Sequence, residues 1–238
     1  MRLDAGELVD FYESAMGRAA RRAVFRRIRE IWPHTAGLRL LGYGFAAPYL
    51  KPYLGESERV AALMPARLGV VAWPSGRPLT VLGEEESLPF ADAMFDRILV
   101  VHGLEGADAV RILLRQLWRI LAPEGRLMVV APNRVGLWAQ VEASPFACGR
   151  PFRRNELSAL LCDTMFEPLQ WTRALYMPPL KGRRFAQVSA GFERLGRRLL
   201  PGFAGVHLVE ARKSFYGAAP IQSRHRAVVL RPAHTLQS

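Results

Sequence analysis

Short apolar runs punctuate the chain, and their spacing divides it into strands and helices before any chemistry is considered. The clearest stretch is 87–133. Phe95-Asp96 leads into Ile98 to Val101, a run with the length and β-branched content of a buried strand. From Ala107 the period changes. Val110, Leu113, Leu114, Leu117 and Leu121 recur at helical spacing while Arg111, Arg115 and Arg119 fall on another face, which predicts an amphipathic helix covering a sheet. Pro123 and Gly125 stop it, and Leu127 to Ala131 returns to the sheet. Strand, helix and strand within this length form a parallel, right-handed βαβ unit.

The same reading extends outward. Gly6 to Trp32 predicts one or two helices, with Gly17 as the break and Pro33 as the stop. Leu38 to Leu41 is a first strand, followed by G-Y-G-F-A-A. Arg59 to Leu63 is a second, and the segment 66–78, with Trp73-Pro74-Ser75-Gly76, is a turn-rich connection. Leu79 to Leu82 is a third strand and leads into Glu84, Glu85 and Glu86. Beyond the βαβ unit, Asn133 and Arg134 begin a rim loop, and Asn155 is a plausible cap for a helix ending at Asp163. Leu169 to Met177 and Val206 to Lys213 form a closing antiparallel pair. Between them Phe192, Leu195 and Leu199 predict an amphipathic helix rich in arginine.

Composition narrows the class. Half of the 238 residues are hydrophobic, enough for one domain with a sizeable core, and no apolar run is long enough to span a bilayer. Asp4, Glu7 and Asp10 stand where a secretory signal would be basic and then apolar, so a cytoplasmic location is expected. Cys148 and Cys162 have no neighbouring Cys/His set, so no metal site is expected and reduced thiols are. Of the net charge of +12, residues 131–238 carry +10 and the sheet-forming middle is nearly neutral. Such a surface favours anionic partners. The basic residues are nearly all arginine, which a GC-rich coding sequence also produces, so nucleic acid is not the expected partner.

The elements L-P-F-x-D-x-x-F-D, V-V-H-x-L-E and R-I-L-A-P-E-G-R-L, in that order and spacing, resemble the second half of a class I S-adenosylmethionine-dependent methyltransferase domain of the Leu-Pro-Phe subgroup. The resemblance covers roughly 37–215. It implies an α/β fold: a Rossmann-like, seven-stranded, mostly parallel sheet with helices on both faces and an antiparallel last strand. Residues 1–36 would be an N-terminal helical cap, 138–160 and 178–202 insertions facing substrate or partner, and 216–238 a C-terminal tail.

The implied cofactor is S-adenosylmethionine. Gly42 and Gly44 match the first two glycines of the family's cofactor loop, while Ala46 stands for the third and Leu40 for the preceding acid. Met64 occupies the position at the end of the second strand where an acid normally takes both ribose hydroxyls. Glu84 aligns with the residue that accepts the adenine amino group. His102, at the end of the fourth strand, lies where open α/β sheets bind ligands and is the candidate base for deprotonating a methyl acceptor. Each missing carboxylate removes on the order of 1.5–3 kcal/mol of charge-assisted hydrogen bonding.

Two functions follow. One is a methyltransferase of unknown acceptor with an eroded cofactor motif. The other is a catalytically degenerate fold serving as a binding or regulatory subunit through its basic C-terminal third. The resemblance extends to proteobacterial methyltransferase-like proteins encoded beside glyoxalase II, which makes that hydroxyacylglutathione hydrolase the implied partner. A nicotinamide dehydrogenase is disfavoured, because G-Y-G-F-A-A lacks the third glycine and no acid ends the second strand.

Overall fold

The computed structural model describes residues 3–76, 78–141, 144–179 and 201–215, together with Gly191, Glu193, Gly196 and Arg198. The arginine-rich helix expected around Phe192, Leu195 and Leu199 and the tail 216–238 lie outside the described residues.

Helix α1, Ala5–Glu13, starts at Asp4, whose carboxylate accepts the Glu7 N–H at 2.9 Å. It ends at Ser14, and helix α2, Ala15–Ile31, begins there. Ser14 is extended, its hydroxyl donates to the Phe11 carbonyl at 2.6 Å, and it accepts the Gly17 N–H at 3.0 Å. The break therefore falls at Ser14 and not at Gly17. Gly17 is glycine for a packing reason: a Cβ there would lie 1.9 Å from the Phe11 carbonyl oxygen.

Seven strands follow: β1 (Arg39–Gly44), β2 (Arg59–Pro65), β3 (Thr80–Gly83), β4 (Phe95–Val101), β5 (Leu121–Pro132), β6 (Phe166–Ala174) and β7 (Val206–Lys213). They form one sheet in the order β3-β2-β1-β4-β5-β7-β6, with β7 antiparallel to both neighbours and the remaining pairs parallel. Helix α4, Val110–Ile120, is the crossover between β4 and β5, and passes directly into β5 at Leu121. With helix α5, Arg154–Asp163, it buries Leu113, Leu114, Leu117, Leu157 and Leu161 against one face. Helix α2 covers the other face with Ala20, Val24 and Ile28. The start of α5 is Arg154; Glu156 inside the helix takes the Arg153 N–H at 3.1 Å, so Asn155 is not the cap.

The connections after β1 and β2 are reduced. After β1 stand a four-residue helix α3, Ala47–Leu50, and a 3-10 turn, Lys51–Tyr53, and after β2 a single 3-10 turn, Ala66–Leu68. No long helix therefore presents its N-terminus beside Gly44. It also leaves Val81 and Leu82 of β3 exposed. Among the described residues no helix is long and apolar enough to cross a membrane.

Candidate active site

Strand order reverses between β1 and β4, so the ligand crevice of such a sheet lies outside the carboxyl ends of these two strands. Backbone from both sides meets there. Phe45 N–H donates to the Val101 carbonyl at 2.7 Å, and a Cβ on Gly44 would sit 2.3 Å from that same oxygen. Gly44 also has φ +80°, so glycine is required by conformation and by space. Gly42 lies within β1, where a side chain would collide with Leu50 at 2.5 Å. These two glycines are demanded by the chain's own packing.

His102 follows β4 directly with φ +49°, a left-handed conformation that costs a non-glycine residue on the order of 1 kcal/mol. The strain turns its ring into a buried chain of polar groups. Nδ1 lies 3.2 Å from Glu105 Oε1, Nε2 lies 2.8 Å from the Tyr12 hydroxyl, and that hydroxyl lies 3.0 Å from the hydroxyl of Tyr49. With Glu105 as carboxylate, Nδ1 carries the proton and Nε2 accepts from Tyr12. Burial, aided by Tyr49, pushes the Tyr12 hydroxyl well above the usual tyrosine range. The rings of Tyr12 and Phe45 stack at 5.8 Å, and Phe146 packs 4.6 Å from the His102 ring.

Four further positions singled out in the sequence are dispersed around this chain. Met64 is fully buried, and its sulfur accepts the Val71 N–H at 3.5 Å. Glu84 is exposed on the loop after β3. The neighbouring Glu85 is the buried member of that acidic run: it accepts the N–H groups of Asp108 and Ala109 at 3.0 and 3.3 Å and pairs with Arg67 at 2.6 Å. Arg67 also donates to the Gly103 carbonyl at 3.2 Å, so one guanidinium ties together the loops after β2, β3 and β4. Asn133 does not open into a pocket; its amide holds the carbonyls of Gly202 and Ala204. Arg134 is occupied by Glu156 at 2.9 Å.

Open volume at the rim falls on either side of the Tyr12–His102 bond. A cavity of about 280 Å³ is lined by His102, Glu105, Arg67, Asp108 and Cys148. A larger one of about 590 Å³ is lined by Tyr12, Phe45, Met64, Val71 and Trp73, with Arg18, Arg21 and Lys51 at its edge. A third, of about 300 Å³, includes Glu84 and shares Arg67 and Asp108 with the first.

The family model for a methyltransferase domain matches residues 41–129, the segment from β1 to β5 that contributes most of this rim. Over this segment the chain is similar to a methyltransferase domain. The ubiquinone/menaquinone biosynthesis C-methyltransferase UbiE of Rubrivivax gelatinosus is 29% identical over 39% of this chain and 43% of its own length. The demethylmenaquinone methyltransferase of Corynebacterium efficiens is 28% identical over 53% of this chain and 55% of its own. The chain thus spans about half the length of these relatives. A solved S-adenosylmethionine-dependent methyltransferase from Thermotoga maritima superposes with a TM-score of 0.63 at 19% identity, covering 88% of this chain and 96% of that one. That likeness shows the fold.

An adenosyl ligand with a ribose diol and a cationic sulfonium calls for buried acceptors, and the methyltransferase fold usually places acids where this chain has Leu40 and Met64. Both are fully buried apolar side chains. The acceptor chemistry reappears at Glu105. Its Oε2 is buried, has no hydrogen-bond partner among the described residues, and belongs to a residue on the wall of the crevice cavity, beside Asp108. The rim thus holds an acidic group, at Glu105 and not at the positions of Leu40 and Met64. The sequence contained Glu105 within V-V-H-x-L-E, but nothing in its spacing marked it over the other acids.

Proposed function

We propose that the chain is an S-adenosylmethionine-dependent methyltransferase whose cofactor is held at the crevice between β1 and β4, with Glu105 supplying the carboxylate missing at Leu40 and Met64. The observation that carries this reading is buried Glu105 on a cavity wall at the switch point, its Oε2 without a hydrogen-bond partner among the described residues. Gly44 keeps the loop after β1 close to β4, and His102 fixes Glu105 from the other side. Met64 and Glu84 flank the site, and Arg67 and Asp108 complete its charged wall. When bound, the cofactor supplies an electrophilic methyl group. The chain's own contribution is to orient the reactants and exclude water, with a proton acceptor needed only where the methyl acceptor is protic.

Calorimetric titration of S-adenosylhomocysteine tests this. Wild type should bind in the micromolar range and Glu105→Gln about tenfold or more weaker, consistent with loss of a charge-assisted contact, while Glu86→Gln on the exposed loop should be unchanged. A second reading is favoured by Leu40 and Met64, which remove both usual acidic contacts: a non-catalytic fold that binds another protein, with hydroxyacylglutathione hydrolase as the candidate. No heat at millimolar ligand, together with recovery of that hydrolase on the immobilised chain, would favour it.

A further inference from the structure

Three loops at the carboxyl edge of the sheet are knitted into one surface. The side-chain amide of Asn133 donates to the carbonyls of Gly202 at 3.1 Å and Ala204 at 2.7 Å, and Gly136 packs so closely that a Cβ there would lie 2.3 Å from the Ala204 oxygen. The segment 150–154 is joined to them: the Arg134 N–H donates to the Phe152 carbonyl at 3.1 Å, and its guanidinium to the carbonyl of Pro151. Loops pinned by their backbones leave their tips free of packing duty. Val135 is 47% exposed, Leu137 42% and Phe203 55%. Isolated apolar side chains on a surface are ordinary, but three on hydrogen-bonded neighbouring loops form a patch. Arg150, Arg153 and Arg154 stand exposed on the third loop and at the start of α5. None of the three has an ion pair among the described residues, and Glu156 beside them is taken by Arg134.

Apolar tips among unpaired guanidiniums match a surface that is negative outside and apolar a few ångströms below. We propose that the patch of Val135, Leu137 and Phe203, with Arg150, Arg153 and Arg154 beside it, docks the chain on a bilayer of anionic lipid. The apolar side chains enter the boundary between headgroups and acyl chains, and the arginines pair with lipid phosphates. No segment spans the membrane. Contact is peripheral and reversible, and salt weakens it by screening the arginines. Because β4 and β5 are parallel, the loop after β5 leaves the sheet at the same edge as His102. Docking turns that edge, with the crevice on it, toward the lipid. The patch does not depend on which ligand the crevice holds.

The probe is a vesicle of phosphatidylglycerol and phosphatidylcholine, with pure phosphatidylcholine as the neutral surface, and binding is read by co-sedimentation. Wild type should sediment with the first and far less with the second. A net charge of +12 draws the chain toward any anionic surface, so the decision is read at individual side chains. Arg150→Gln, Arg153→Gln and Arg154→Gln together should weaken binding about a hundredfold at low salt. The same charge removed from α2, by Arg18→Gln, Arg22→Gln and Arg26→Gln, should cost no more than about threefold, because those side chains stay in water. Leu137→Ser with Phe203→Ser leaves the charge unchanged and should weaken binding about tenfold. Every substituted side chain is exposed in the free chain, so the variants should keep the wild-type melting temperature. Phe203→Trp reports insertion directly. Read against the five native tryptophans, its added emission should be quenched by brominated acyl chains, and that of Ile112→Trp on the exposed side of α4 should not. Equal losses from the two arginine sets, full binding by the double serine variant, or no quenching with Phe203→Trp overturns the proposal. Wild type that ignores the vesicles but binds a single-stranded RNA, through arginines 150, 153 and 154, overturns it too and gives the patch to nucleic acid.

Discussion

Lowering the pH from 7 to 5 should remove folding stability through one side chain, His207. It lies on β7 between Ala131 of β5 and Arg173 of β6, is 4% exposed, and neither ring nitrogen has a hydrogen-bond partner among the described residues. Burial first, then the charges of Arg173 and Arg154, pull its pKa from 6.5 down to about 4. The folded protein therefore refuses a proton that the unfolded chain accepts. Stability conferred above the unfolded pKa is lost as pH falls from about 6.5, and the loss levels off below about 4. Over the whole window it amounts to about 3 kcal/mol, and between pH 7 and 5 to about 2 kcal/mol. Urea midpoints of wild type and His207→Phe, measured at both pH values, give the difference directly. Phenylalanine keeps the edge contact that the imidazole makes with Trp171 at 6.2 Å and removes the titration. The carboxylates held low by arginines, such as Asp96, titrate mainly below this window and cancel between the two proteins. Parallel loss of stability in wild type and variant would refute the assignment to His207.

Gly44→Ala should destabilise by at least about 2 kcal/mol, combining left-handed strain with the collision against Val101, as read by thermal melting. Ser14→Ala should cost about 1 kcal/mol in urea unfolding, because the hydroxyl both terminates α1 and caps α2. Arg67→Ala should cost about 2 kcal/mol and raise hydrogen exchange along 103–109, since Glu85 loses its cation and three loops lose their common tie. Unchanged exchange there would show that the loops are held independently of the guanidinium.

The sheet was legible because its signal is local. Ile98 to Val101 and the heptad-like run from Val110 to Leu117 each carry their period within a few residues, and the order of elements then fixes the pairing. Gly17 misled because a glycine inside a helix has two physical origins, a break or a close approach, and the contact with Phe11 decides for the second. The site was harder to read for a different reason. Tyr12 meets His102 across 90 residues of chain, and no spacing rule reaches that far. Of the three consecutive glutamates, Glu85 is singled out only by the N–H groups of Asp108 and Ala109, which arrive from another loop. Leu40 and Met64 were visible as absences; that Glu105 is buried beside His102, with one oxygen lacking a hydrogen-bond partner among the described residues, is a matter of how the loop after β4 folds.

The short connection after β2 has a consequence in crowded solution. A full-length helix there would roof the outermost strand; without it Val81 and Leu82 stand exposed on β3, and the outer side of β3 pairs with no strand among the described residues. A bare strand edge with apolar side chains is a template for further strands. The chain has only four residues of β3 to offer, which limits the length of any such pairing and leaves room for a single charge, as in Leu82→Lys, to keep copies apart at high concentration.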